Sequence, residues 1–202
     1  MNGDKVKKIL AVAVAGLTLL LTACGQVNSA AIIGKTEIPN TTVESTVHDI
    51  LAERTKVDTR GMTLTTGIEL NTNAVRFHII SVLFDDIAKK LKIEVTPAEI
   101  ANQRAGIITQ IQGEKALPAA LVNAGIAKKD FPRYLRTVVL AQKIGDVAKA
   151  AGDKSTDGSG IQKILVGIAK AEKVKINPRW GTWDYTNANI TPATANNAVV
   201  IK

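Results

Sequence analysis

The chain has 202 residues, of which 46% are hydrophobic and 22% charged, with 15 Gly, 6 Pro and a single Cys. This composition excludes disordered, collagenous and disulfide-scaffold proteins, and the length favours one compact domain with tails. The formal net charge is +8, yet only 3% of the residues are aromatic, too few for the stacking surface of a single-stranded nucleic-acid binder. The lysines are also spread along the predicted helices, so no nucleic-acid partner is predicted.

The first 23 residues have the pattern of an export signal. Three lysines precede a 13-residue apolar run over 9–21, which at about 1.5 Å per residue is shorter than the ~30 Å hydrocarbon core of a membrane. The segment Leu21-Thr22-Ala23-Cys24 resembles a bacterial lipobox, in which the cysteine receives diacylglycerol before cleavage. We therefore predict a lipidated Cys24 at the mature N-terminus. A plain signal peptide, or a short uncleaved anchor with a coincidental cysteine, is the alternative.

A lipidated Cys24 implies a protein of the bacterial cell envelope, anchored to a membrane outside the cytoplasm. Residues 1–23 hold three lysines and one aspartate, so their removal lowers the formal charge from +8 to +6. A basic body gains about 1 kcal/mol for each Lys or Arg that comes near an anionic leaflet. We predict a tether over 24–30, a folded domain over 31–184 and a loose tail over 185–202, where Asn, Thr and Ala offer little to bury.

The first half of the domain combines one extended segment with two helices. Residues 31–38 read as a brief extended segment with a turn at Gly34-Lys35. An amphipathic helix is predicted over 39–54, and the Thr- and Gly-rich stretch 55–72 is predicted to be a loop. Apolar residues at alternating spacings of three and four over 73–91 predict the central, most buried helix.

The second half alternates helices with breakers. A capping box at Thr96 and Glu99 opens one helix, Gly125 ends a short one, and Asp130 is expected to cap a long one. A breaker-rich linker over 152–160 precedes the last helix and an edge strand. The predicted helices cover 96–111, 117–123, 130–147 and 161–168, and the strand covers 173–176. Because a strand this short is unstable alone, we expect it to pair with 31–38.

The sequence therefore predicts a mainly α fold, an orthogonal helical domain with a small two-stranded β element that joins its N- and C-terminal segments. The order of elements resembles the SurA N-terminal-like domain, the helical chaperone part of SurA and of PrsA-type foldase lipoproteins. The resemblance rests on segments 31–38, 96–99, 117–131 and 177–184, although Ile33 stands where the family commonly has Asn before the Gly. It implies an ATP-independent chaperone that binds unfolded exported polypeptides in an apolar groove between helices.

Many members of that family also carry a parvulin-type prolyl isomerase domain between the long return helix and the closing segment. Such a domain needs on the order of 90 residues, whereas this interval holds only the nine residues 152–160. We therefore predict no isomerase activity. The alternative function is a structural or adaptor lipoprotein that docks one specific envelope partner. The sequence does not predict an oligomeric state.

No catalytic residue, cofactor or metal site is predicted. His48 and His78 are the only histidines, and they lack the partners of a zinc pattern, so both are interpreted as surface or half-buried residues. Asp85 and Asp86 are adjacent, which on a helix directs them about 100° apart and excludes a glycosidase-like pair, so both are interpreted as solvated.

Three of the seven aromatic residues lie close together near the end of the domain. Trp180, Trp183 and Tyr185 are candidate client contacts, because surface aromatics provide large contact area at low entropic cost. The alternative is a packing role, with Trp180 covering the core beside the closing strand.

Overall fold

The computed structural model describes residues 28–155, 157–194 and 201; Cys24 and the predicted leader lie outside them. The fold is mainly α, as predicted, with 60% helix. The described part of the chain contains six helices: α1 (Asn40–Arg54), α2 (Gly67–Leu91), α3 (Pro97–Gln110), α4 (Leu117–Ala124), α5 (Phe131–Ala150) and α6 (Ser159–Ala171).

Helix α2 begins six residues before the predicted start at Asn73. Its first turns contain Asn71 and Thr72, polar residues with weak helix propensity, but both are buried together with Leu70. The Thr72 hydroxyl donates to the carbonyl of Ile68 at 2.8 Å, which satisfies it inside the helix. Tertiary burial therefore extends the helix into a stretch that composition predicts to be a loop.

The N-terminus of α3 confirms one predicted cap, whereas that of α5 does not. The Thr96 hydroxyl accepts from the Glu99 amide at 3.3 Å, and the Glu99 carboxylate accepts from the Thr96 amide at 2.8 Å. Asp130 instead lies at the end of a 3-10 turn, Lys128–Asp130, and makes no side-chain cap. Its carboxylate accepts a hydrogen bond from Thr46 of α1, so the predicted cap is wrong because a tertiary partner takes its place.

The two ends of the domain meet in an antiparallel sheet, as predicted. Strand β1 (Ser29–Ile33) pairs with β2 (Thr36–Pro39) on one side and with β3 (Lys175–Ile176) on the other. The register places Ala31 opposite Ile176, and β3 is an edge strand. The sheet has three strands where two were predicted, because the turn at Gly34 folds β2 back onto β1.

The prediction of a loose tail from residue 185 is wrong for its first part. Strands β4 (Thr182–Asp184) and β5 (Asn189–Thr191) form a second antiparallel pair, with Trp183 opposite Ile190. Ile190 is buried, which supplies the apolar contact that holds this hairpin on the domain. Gly181 makes the approach possible, since a Cβ there would collide with the carbonyl oxygen of Thr191.

The main core surrounds α2, which contacts α1, α5, α6 and β1. Its largest fully buried side chains include Ile79, Leu83, Leu140 and Ile144. A second, smaller cluster of Leu121, Phe131 and Leu135 ties α4 to α5, and half-buried residues of α3 pack against it. The molecule is thus built around α2, and the two ends of this helix have different surroundings.

Candidate functional site

An open apolar groove lies where the C-terminal halves of α2, α5 and α6 meet. It has a volume of about 470 Å³. Among the lining residues that the structure describes, only Lys90 is charged; the others are Ile87, Leu91, Val147, Ala148, Ala151, Ile164, Gly167, Ile168 and Ala171. Two of its walls carry the large exposed hydrophobic residues of the domain, Leu91 at 43% and Val147 at 41% exposure. Contiguous exposed apolar surface of this kind marks an interaction site more often than isolated residues do.

The groove exists because small residues line facing helices. Gly167 and Ala171 of α6 and Ala151 after α5 have too little side chain to fill the space between the helices. Ile168 and Ala148 are buried and form the floor. Apolar walls and floor without hydrogen-bonding side chains favour aliphatic ligands.

Exposed lysines stand at the helix ends around this groove. Lys90 pairs with Glu172 at 2.8 Å. Four other exposed lysines lie in or just after the last turns of the three helices and form no ion pair within the described residues: Lys92, Lys149, Lys170 and Lys173. Basic side chains at helix C-termini complement the helix dipole, and these lysines make this end of the domain basic. Lys90 is the one that lines the groove itself.

The groove lies beside the C-terminal end of β1, and Ser29 lies at the other end of this strand. The amide of Gly34, in the β1–β2 turn, donates to the carbonyl of Glu172 at 2.7 Å, directly after α6. The φ of Gly34 is +56°, a left-handed conformation that favours glycine, and a Cβ there would displace the Glu172 carboxylate. Ser29 lies five residues before Gly34, about 16 Å away at ~3.3 Å per strand residue.

A second concavity, of about 370 Å³, lies between α1, the N-terminal half of α2 and the connection from α4 to α5. Two of its lining residues, Thr46 and Asp130, belong to a chain of hydrogen-bonded side chains that also includes the buried His78. The Thr46 oxygen lies 2.9 Å from His78 Nε2 and 2.7 Å from Asp130 Oδ2. Because the Thr46 hydroxyl donates its single proton to the Asp130 carboxylate, the Nε2–H of His78 donates to the Thr46 oxygen.

His78 is fully buried, not half-buried as its position beside the apolar stripe predicts. Burial lowers its pKa to about 4; attraction to Asp130 opposes this shift, and Arg133 and Lys129 reinforce it. His48, by contrast, is exposed. Sequence reasoning missed this cluster because its members lie 32 and 84 residues apart, and no local spacing connects them.

The acidic pair does not converge on a common point, as predicted, but the interpretation of both residues as simply solvated is wrong. Asp85 accepts from Arg136 of α5 at 3.0 Å, and its side chain is 33% exposed. Asp86 lies 3.4 Å from Lys89 on its own helix, and its side chain is 18% exposed. The two carboxylates therefore bind different cations on different elements.

The candidate client contacts Trp180, Trp183 and Tyr185 belong to the core instead. Trp180 is 2% exposed, and its Nε1–H donates to the Asn40 side-chain oxygen at 2.6 Å. Trp183 is also buried. The half-buried Tyr185 donates its hydroxyl to the Val174 carbonyl at 2.5 Å. These rings fasten the closing segment to α1 and β3, so the client-contact prediction is corrected to a packing role.

The comparison with models of protein families finds no match for this chain, and the comparisons with curated proteins and with solved structures find none either. The resemblance to the SurA-type domain therefore stays a prediction. The part of the chain that the structure describes contains no group of three or more His, Cys, Asp or Glu placed to hold a metal ion. Within the same residues, no helix has both the length and the apolarity needed to cross a membrane.

Proposed function

We propose that this is a lipid-anchored, extracytoplasmic, ATP-independent chaperone-like protein that binds apolar segments of unfolded exported polypeptides. The observation that carries the proposal is the groove between α2, α5 and α6. Its walls are aliphatic and its floor is closed, so it accepts apolar side chains of many sequences without selecting a hydrogen-bonding pattern. Binding is expected to be about micromolar or weaker, because each client segment loses conformational freedom and must still be released.

The position of the groove supports this role. If Cys24 carries the anchor, the anchored segment joins the domain at Ser29, the start of β1, whereas the groove lies beside Gly34 and Glu172 at the other end of that strand. A polypeptide can then approach the groove without contacting the bilayer. The lysines at this end of the domain attract acidic segments over about a Debye length, so salt weakens the encounter more than it weakens the apolar contact itself.

The connection between α5 and α6 supports the absence of isomerase activity. Helix α5 ends at Ala150 and α6 begins at Ser159, so only residues 151–158 join them. Asp153 and Ser155 fold this connection against Gly160, whose amide donates to the Ser155 hydroxyl at 3.0 Å. A parvulin-type domain has no place in this interval.

The test measures aggregation of several unrelated unfolded clients by light scattering, with the chain from residue 24 onward carrying Cys24→Ser. The wild-type sequence should slow aggregation of more than one client. The double variant Leu91→Asp, Val147→Asp should lose this effect while remaining folded, because both side chains are already about two-fifths exposed. The charge-matched control Ala52→Asp, Ala101→Asp alters exposed positions outside the groove and should retain the effect.

Two outcomes would contradict the proposal. If molar excess of the protein slows aggregation of no client, and a pulldown from the envelope retains one partner, the protein is an adaptor. Turnover of an X-Pro tetrapeptide above background would show that the domain is an isomerase after all.

A further inference from the structure

The cavity between α1, the N-terminal half of α2 and the start of α5 presents charges of both signs around an apolar interior. Asp130 contributes a half-buried carboxylate. Oδ2 of this carboxylate accepts from Thr46, while Oδ1 has no hydrogen-bond or ion-pair partner within the described residues. Its basic neighbour Lys129 pairs with Asp49 at 2.7 Å instead. The cavity therefore contains a carboxylate oxygen that can accept a further hydrogen bond.

Arg76 lines the same cavity from the other side. Arg76 and His78 are two residues apart on α2, so their side chains leave the helix about 200° apart, with Phe77 between them. Hydrogen bonds link His78 to Asp130 through Thr46, so the Asp130 carboxylate lies on the side of α2 that carries His78. Arg76 donates to the Asn73 side chain at 3.0 Å and to Asn189 at 3.3 Å, and these bonds hold the guanidinium at the opposite edge.

The surface between the two charges is apolar and aromatic. Phe77, Ile80, Ile126 and Tyr134 line it, and the Tyr134 hydroxyl has no partner within the described residues. A volume of about 370 Å³ is at the small end of the range for small-molecule sites, roughly 300–1,000 Å³. An aromatic face beside a carboxylate favours an ammonium group, and a guanidinium favours a carboxylate.

We propose that this cavity binds a small zwitterion with an apolar body, namely a hydrophobic dipeptide. The ligand's ammonium group donates to Asp130 Oδ1, its carboxylate accepts from Arg76, and its side chains contact Phe77 and Ile80. The site is separate from the groove in position and in chemistry. The proposal therefore does not depend on chaperone activity.

The experiment titrates leucyl-leucine into the chain from residue 24 onward, carrying Cys24→Ser, by isothermal calorimetry. N-acetyl-leucyl-leucine, which lacks the ammonium group, and leucyl-leucinamide, which lacks the carboxylate, are titrated in parallel. Each should bind at least about ten-fold more weakly, because each loses one charge-assisted hydrogen bond. Because this comparison of ligands uses the same protein throughout, a misfolded variant cannot affect its result.

The variants test the protein's side of each contact. Asp130→Asn keeps an oxygen for the Thr46 hydroxyl but removes the charge, and it should weaken leucyl-leucine about ten-fold while leaving N-acetyl-leucyl-leucine unchanged. Arg76→Gln should likewise weaken leucyl-leucine about ten-fold, while leaving leucyl-leucinamide, which has no carboxylate, unchanged. The control Asp146→Asn removes an exposed carboxylate outside the cavity and should change neither affinity. Absence of leucyl-leucine binding at millimolar concentration, or equal binding of all three ligands, would overturn the proposal.

Discussion

The groove and the cavity lie at the two ends of the same helix, α2, but they differ in how their walls are built. At the C-terminal end, Ile87 and Leu91 face small residues of α5 and α6, and almost nothing there can form a hydrogen bond. At the N-terminal end, Thr46 and Asp130 line the cavity and are hydrogen-bonded in a chain that includes the buried His78. An apolar trough tolerates many ligands, whereas a fixed set of charges and donors selects few. One scaffold thus supports a permissive and a selective surface.

The largest expected difference between the two ends of α2 is a dependence of the free energy of unfolding on pH, which arises at the N-terminal end. Burial holds the pKa of His78 at about 4, below its value of 6.5 when unfolded, so the unfolded chain binds more protons between these values. The free energy of unfolding should therefore fall as the pH drops from about 6.5 to 4, by about 3 kcal/mol in all. Urea unfolding over this pH range measures the effect.

Two single substitutions assign that dependence to His78. His78→Gln should flatten the pH profile between 4 and 6.5, because the buried titrating group is gone. His48→Gln removes the other histidine, which is exposed, and should leave the profile as it is. A profile that His78→Gln leaves unchanged would show that the pH dependence has another source.

Removal of the central hydroxyl of the polar chain should have the next largest effect. Thr46→Val keeps the side-chain shape but leaves both His78 Nε2–H and Asp130 Oδ2 without their partner. A buried donor left unsatisfied costs about 1–3 kcal/mol, so denaturant unfolding should show a loss in that range. Thr42→Val, at an exposed position of the same helix, should change stability by less than about 0.5 kcal/mol. Equal losses in the two variants would mean that the chain of hydrogen bonds adds no stability.

Local sequence signals predicted most of the fold, whereas the sites depend on long-range contacts. The capping box at Thr96 and the alternation at 173–176 act within a few residues, so their structural consequences could be read from the sequence. The hairpin of β4 and β5 could not, because its strands have three residues each and owe their place to the burial of Trp183 and Ile190.

The two candidate sites also differ in how much of them the sequence predicts. A groove between helices was expected, but its location depends on where small residues such as Gly167 and Ala151 face each other across two helices. Periodicity shows which face of each helix is apolar, not which part of that face remains uncovered. The cavity was missed altogether, since Thr46, His78 and Asp130 meet only after three separate elements have packed.

The smallest predicted change in stability gives the sharpest test of the groove. Gly167 in α6 and Gly106 in α3 both have ordinary helical backbone and open space where a Cβ would stand. Substitution by alanine should raise the free energy of unfolding by about 0.5–1 kcal/mol at either position, because glycine weakens a helix interior by that amount. Thermal unfolding of the two alanine variants measures this gain and shows whether the positions are equivalent.

Leucine at the same two positions then separates stability from binding. Gly167→Leu places an isobutyl group inside the groove, so it should keep the domain folded but reduce the suppression of client aggregation. Gly106→Leu adds the same group outside the groove and should leave suppression intact. If both leucine variants suppress aggregation equally well, clients bind elsewhere on the domain. If only Gly167→Leu fails, the apolar end of α2 is the client site, because the two variants differ in location and not in the group that was added.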